Sequence, residues 1–188
     1  MTWRPFMIDA RTAKDGEDYT AYCQRRWGGD SWTRSLRAAG QRDGVEFADW
    51  KVWPNTLHAN RLLMYADENF GLGGQVKSTL MRMIYEEGEN GSLKAVVARA
   101  ADAVGVPGGS AHVLSDDGTT ELIEALRSSN VKGKRVSGVP YYNINDGAYD
   151  FSGAQETKNW LKILEHFADA GMGADMGGAA DADDGESC

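Results

Sequence analysis

The sequence predicts a mixed α/β chain dominated by helices, and three observations carry that reading. Thr2 to Ile8 alternates in a strand-like way, apolar residues recur at helical spacing through much of residues 17–129, and Asn145-Asp146-Gly147 stands between two short apolar runs. Period two marks a strand, period 3.6 marks helices, and Asn-Asp-Gly supplies the left-handed backbone of a tight hairpin. The predicted order is one strand, a long helical block, a β-hairpin and a closing helix, without an internal repeat.

After the first strand, Asp9 to Gly16 reads as a polar loop leading to helices over about Glu17–Trp27 and Ser31–Gln41. Beyond Pro54, the residues Ala59, Leu62, Leu63, Ala66 and Phe70 form one apolar stripe that Gly71 ends. Leu72, Val76, Leu80, Met83 and Ile84 form a second stripe stopping at Gly88. Leu93, Val96, Val97, Ala100, Ala101 and Val104 form a third, stopping at Gly105-Val106-Pro107. Thr119–Ser129 is a weaker fourth helix. Val136–Ile144 and Ala148–Phe151 read as the two hairpin strands, and Trp160, Leu161, Leu164 and Ala168 place a last helix from about Gln155.

Composition bounds what such a chain does. There are 188 residues with 20 Lys and Arg against 28 Asp and Glu, a net charge of −8 that repels nucleic-acid phosphates and anionic lipid alike. Residues 170–188 account for five of those net charges, and their Gly, Ala and Asp composition offers too little apolar area to offset the entropy of ordering, so this tail is expected to be disordered. No run of 18 apolar residues exists and the N-terminus lacks the pattern of a secretory signal, so a cytoplasmic location is expected, with no membrane partner. The two cysteines, Cys23 and Cys188, lie at opposite ends of the chain and form no Cys-x-x-Cys pair.

Several motifs carry no chemistry. Gly71-Leu72-Gly73-Gly74 lacks the third glycine of a dinucleotide loop, because position 76 is Val, and it follows a helix where that loop needs a strand. Gly133-Lys134 lacks the first glycine of a phosphate loop. His58, His112 and His166 have no partner at zinc-ligand spacing and read as surface or satisfied core residues, so no metal is expected. Two stretches are more informative. Pro140 opens an apolar strand and removes one ladder donor, which reads as an edge-strand proline in trans or as a cis bond that turns neighbouring backbone groups toward a cleft. Ser152-Gly153-Ala154-Gln155 has the form of a capping box, whose free helix amides would suit a carboxylate.

Taken with Trp3-Arg4-Pro5-Phe6, Pro54-Asn55-Thr56-Leu57, Arg61-Leu62, Tyr85-Glu86-Glu87-Gly88 and Gly138-Val139-Pro140, the segment Ser152-Gly153-Ala154-Gln155 completes an ordered set. In order and spacing, across residues 2–169, the chain resembles the DsbA-like thioredoxin family, in the FrnE-type branch related to 2-hydroxychromene-2-carboxylate isomerase and the kappa-class glutathione transferases. The resemblance implies a thioredoxin-like fold with a large helical insertion: residues 1–8 and 134–169 as the thioredoxin-like portion, 9–133 as the insertion and 170–188 as the tail. It implies Pro140 as the family's cis-proline, Asn55 lining the cleft, Val139 offering its backbone to an extended thiol peptide, and Ser152, Ala154 and Gln155 where related transferases hold the γ-glutamyl end of glutathione. Thiol-containing peptides or glutathione are thus the implied partners, no cofactor beyond glutathione as ligand or co-substrate is implied, and homodimerisation is left open.

The departures from the family pattern shape the functional expectation. Family members carry Cys-x-x-Cys, or a Ser in the isomerase and transferase branches, on a first strand and helix ahead of Trp-Arg-Pro-Phe. This sequence starts at the second strand, so the first β-α unit is expected to be missing and no catalytic residue is assigned. Asn60 stands where the FrnE-type motif has His, and Asn90 where it has Asp. The expected family activity is protein disulfide oxidoreduction, with the chain as given inactive by itself. The alternatives are a non-catalytic module binding peptides or glutathione, and a glutathione-dependent isomerase or transferase.

Overall fold

The structure is a computed structural model that describes residues 2–47, 50–127, 130–131, 134–136, 138–145 and 149–175. It divides into two compact units, residues 1–137 and 138–188.

The first unit is helical. Asp18 caps α1 (Tyr19–Trp27) by accepting the amide of Ala21 at 2.8 Å, and Gly28 closes that helix in the left-handed conformation. Helix α2 (Trp32–Arg42) follows, then α3 (Leu57–Phe70), ended by Gly71 at φ +67°, where a side chain would be strained. Helix α4 (Gly73–Met81) passes directly into a π-helical turn over Arg82–Glu86, and α5 (Lys94–Val104), α6 (Gly109–Leu114) and α7 (Thr119–Arg127) complete the block. Two antiparallel ladders of two residues each join it, β1 (Glu17–Asp18) with β2 (Val52–Trp53) and β3 (Asn130–Val131) with β4 (Lys134–Arg135).

The predicted stripes supply the core. Leu62 and Ala66 of α3, Val76 and Leu80 of α4, and Val97, Ala100 and Ala101 of α5 meet Val113 of α6 in one cluster. A second cluster surrounds α1, where Tyr19, Tyr22 and Cys23 pack with Trp50 and Trp53. Its rings interlock, with Tyr22 stacked on Trp53 at 4.3 Å, Tyr19 tilted against Trp50 at 4.5 Å, and Trp27 edge-on to Trp32 at 5.2 Å. The π turn carries Tyr85 into this cluster, edge-on to Trp50 at 4.8 Å.

Residues 2–8 correct the first expectation, because they form no strand. A strand exists only through a neighbour's ladder, and this segment binds helices instead. The Trp3 amide donates to Asp67 Oδ2 at 3.0 Å, Lys77 Nζ sits 4.4 Å from the Trp3 ring centre, and the Phe6 carbonyl accepts from Asn60 Nδ2 at 3.3 Å.

The second unit is a hairpin with one helix. Strands β5 (Tyr141–Ile144) and β6 (Tyr149–Ser152) pair antiparallel, from Tyr141 opposite Ser152 to Ile144 opposite Tyr149. Asn145 leaves β5 at φ +50°, and the turn residues Asp146 and Gly147 lie outside the described residues. The first strand is shorter than the predicted Val136–Ile144, since its ladder begins only after Pro140, which has no amide to donate. Helix α8 (Thr157–Asp175) packs Trp160 edge-on to Tyr142 at 4.6 Å and against Phe151 at 5.3 Å. It runs into the segment expected to be disordered, as a helix already nucleated extends at little cost per residue. Residues 176–188 of that tail lie outside the described residues.

Candidate functional site

Each unit holds part of the predicted site and is taken by itself. In the second unit, the Val139–Pro140 bond is cis, Val139 is 45 % exposed and Pro140 is exposed. The Pro140 carbonyl accepts the Gly153 amide at 2.8 Å, which ties the entry to β5 to the exit from β6. Val139, Pro140, Ser152 and Ala154 therefore stand at one end of the hairpin, and Gln155 leads from it toward α8.

The expected capping box does not form. Ser152 is held in the β6 ladder opposite Tyr141, Gly153 turns the chain at φ +95°, and α8 begins two residues later than predicted, at Thr157. Gln155 bonds locally instead, donating from Nε2 to the Gly153 carbonyl and accepting from Asn159 Nδ2, both at 3.4 Å. Nearby, the Tyr141 hydroxyl donates to Asp150 Oδ2 at 2.6 Å, and that bond to a carboxylate pushes the phenol pKa up.

In the first unit Asn55 is a clasp. Its Nδ2 donates to the Thr12 carbonyl at 2.8 Å, its amide donates to Ser92 Oγ at 2.8 Å, and its Oδ1 accepts the Leu57 amide at 3.1 Å, satisfying one free donor at the start of α3. Asn90 repeats the device, with Nδ2 on the Asp15 carbonyl at 2.9 Å and Oδ1 on the Ser92 amide at 3.0 Å. Gly16 permits this closeness, since a Cβ there would fall 2.7 Å from Val52 Cγ1 and 2.8 Å from Ser92 Oγ. Asn60, where the family motif has His, is spent on the Phe6 and Thr56 carbonyls at 3.3 and 3.0 Å.

Reactive groups are held in check. Cys23 is fully buried, and burial pushes its thiol pKa up, away from the thiolate that attacks disulfides. His58 Nδ1 lies 3.2 Å from a guanidinium nitrogen of Arg61, and the His112 ring stacks on Tyr65 at 4.2 Å. Burial and the Arg61 charge press both imidazole pKa values down. The cavity beside His112, about 110 Å³ and lined by Arg61, Tyr65, Glu68 and Glu121, is smaller than the ~300 Å³ at which ligand pockets usually begin. Among the described residues, no three His, Cys, Asp or Glu side chains come together to hold a metal, and no helix is long and apolar enough to cross a membrane.

Arg61, which the sequence marks only as part of a motif, is a structural residue. It is 1 % exposed and donates to the carbonyls of His112 at 2.8 Å, Ser115 at 3.0 Å and Asp117 at 3.0 Å. The signal was available in a charged residue placed next to the apolar stripe position Leu62.

The family described as the DSBA-like thioredoxin domain matches residues 1–165. This chain belongs to that family. Among solved structures it is similar to a probable DsbA oxidoreductase from Streptomyces coelicolor, with a TM-score of 0.70 and 20 % identity over 87 % of this chain and 73 % of that one. The likeness establishes the DsbA-like thioredoxin fold. No curated protein matches.

Proposed function

We propose that this chain serves the thiol–disulfide chemistry of DsbA-like oxidoreductases as a platform for thiol peptides, and that by itself it turns over no disulfide. The observation that carries the second half is Cys23, buried beyond reach of a substrate in a sequence without Cys-x-x-Cys. Exchange needs an accessible thiolate and a second thiol to resolve the mixed disulfide. The first half draws support from the match over residues 1–165 and from exposed Val139, whose main-chain groups precede the β5 ladder and suit pairing with an extended peptide.

On this reading residues 1–8 and 134–169 form the thioredoxin-like portion, 9–133 its helical insertion, and the ligand is a cysteine-containing peptide or glutathione, with Ser152, Ala154 and Gln155 beside the bound carboxylate. The FrnE-type branch and a cytoplasmic location belong to the same reading. The test is to titrate the isotope-labelled chain with reduced glutathione and with a short cysteine peptide. Amide shifts concentrated at Val139, Tyr141 and residues 154–157 are expected, and an unchanged spectrum at millimolar ligand would overturn the platform. Insulin reduction at the background rate is expected, and turnover lost on Cys23→Ser would overturn the assignment of inactivity.

A further inference from the structure

Helix α8 carries a second apolar face that the hairpin does not use. Trp160 contacts Tyr142 and Phe151, and Phe167 lies 6.0 Å from Tyr149, so one side of the helix is occupied. Leu161 and Leu164 are 54 % and 56 % exposed, and Ala168 is exposed with them. Spacings of three and seven place these residues on one stripe, about a quarter-turn around the helix from the hairpin side. None of the described residues from 138 to 168 is buried, whereas residues 1–137 enclose side chains at zero exposure. A hairpin and one helix without an interior side chain are short of packing, and a neighbouring surface is the ordinary remedy.

The charges along α8 say which surface fits. Lys158 and Glu165 share one flank of the stripe, a heptad apart, with the cation toward the N-terminus and the anion toward the C-terminus. In a parallel copy this flank would turn toward the partner's hairpin side, where Trp160 and Phe167 lie, and Lys158 and Glu165 would not meet their counterparts. An antiparallel copy that lays Leu161 on Leu164 brings Lys158 of each chain to within ~3 Å, along the axis, of Glu165 of the other. Among the described residues Lys158 pairs with Glu156, at 2.7 Å with both side chains more than 70 % exposed, a pair easily exchanged.

We propose that α8 is a self-association surface, on which a second copy of this chain packs antiparallel through Leu161, Leu164 and Ala168. The inference is independent of the thiol-platform reading. One helix pair falls below the ~800 Å² per partner of a standard interface, so the dimer is reversible.

Sedimentation equilibrium of the full chain tests this over a concentration series reaching ~1 mM. A reversible monomer–dimer equilibrium is expected. Leu164→Asp is expected to abolish it, and because Leu164 is already more than half exposed, an unchanged far-UV spectrum would show the variant folded. Lys158→Glu is expected to weaken the dimer about tenfold through its two symmetry-related pairs, and Lys158→Glu with Glu165→Lys to restore it. A chain that stays monomeric throughout, a dimer indifferent to Leu164→Asp, or a double exchange that fails to restore association would each overturn the proposal.

Discussion

Replacing Arg61 with Met tests how the first unit closes its far corner. The methionine keeps most of the apolar stem and removes the guanidinium, whose partners are the carbonyls of His112, Val113, Ser115 and Asp117 together with the His58 ring. His112 and Val113 lie in the last turn of α6, where the helix leaves carbonyls unpaired, and a cation there also meets the negative end of the helix dipole. Each buried carbonyl left without a donor costs about 1–3 kcal/mol. Against this stands the desolvation of the guanidinium, whose pKa burial presses down while Asp116 and Asp117 act in the opposite sense. With the Val113 and Asp117 carbonyls orphaned, those of His112 and Ser115 keeping Ser115 Oγ and Lys94 Nζ as donors, and one desolvation relieved, a net loss of about 2–4 kcal/mol is expected, a large part of the ~5–15 kcal/mol of an ordinary domain. At this chain length that corresponds to a fall of roughly 10 °C in Tm. Urea and thermal melts followed by far-UV circular dichroism measure it. Arg61→Lys should lose most of the same amount, since one ammonium cannot span a fork of four acceptors. A Met variant within about 0.5 kcal/mol of the parent, or a Lys variant equal to it, would refute the reasoning.

The remaining predictions concern acid, thiol and clasp. His58 and His112 have folded pKa values below the usual ~6.5, so the unfolded chain binds the extra protons first, and stability present above that pH is lost as the pH falls through the lowered values, at up to about 1.4 kcal/mol per pH unit for each ring. Urea midpoints at pH 7.5 and 5 measure this, and His112→Gln should flatten the slope. In a Cys188→Ser background, Cys23 should react with an aromatic disulfide reagent only at the rate of unfolding, and immediate labelling of the native chain would contradict its burial. Asn55→Ala should cost about 1–2 kcal/mol by releasing the Thr12 carbonyl and the Leu57 amide, read as a lower urea midpoint at unchanged slope.

Apolar periodicity made the helical block legible because burial and period are the same fact for a packed helix. Leu62, Ala66, Val76, Leu80, Val97 and Ala101 of the predicted stripes are all buried, while Phe70 and Leu93 of the same stripes, at helix ends, are 41 % and 42 % exposed. Helix α6 escaped notice because six residues are too short for a period, and the π turn because one extra residue leaves the order of apolar positions almost unchanged. Residues 2–8 misled for the opposite reason, since alternation reports a backbone able to join a sheet and says nothing about whether a neighbour is there. At the candidate site, Asn55 stands out through resemblance; its bond to Leu57 is the local turn pattern of asparagine, but those to residues 12 and 92 span separations that spacing does not encode. The Ser152 to Gln155 pattern was read as a helix start when its serine belongs to a ladder, because the same four residues satisfy both local rules.

The tryptophans make this molecule an uneven reporter of its own state. Of six in the chain, Trp27, Trp32, Trp50 and Trp53 sit in the interlocked rings around α1, while the cluster formed by α3 to α6 contains none. Intrinsic emission and near-ultraviolet ellipticity are therefore governed by one corner, with rings close enough to exchange excitation energy. If that corner loosens first, emission and near-ultraviolet ellipticity will fall sharply while most of the helices stand, and if the Arg61 corner gives way first those four rings will report little of it.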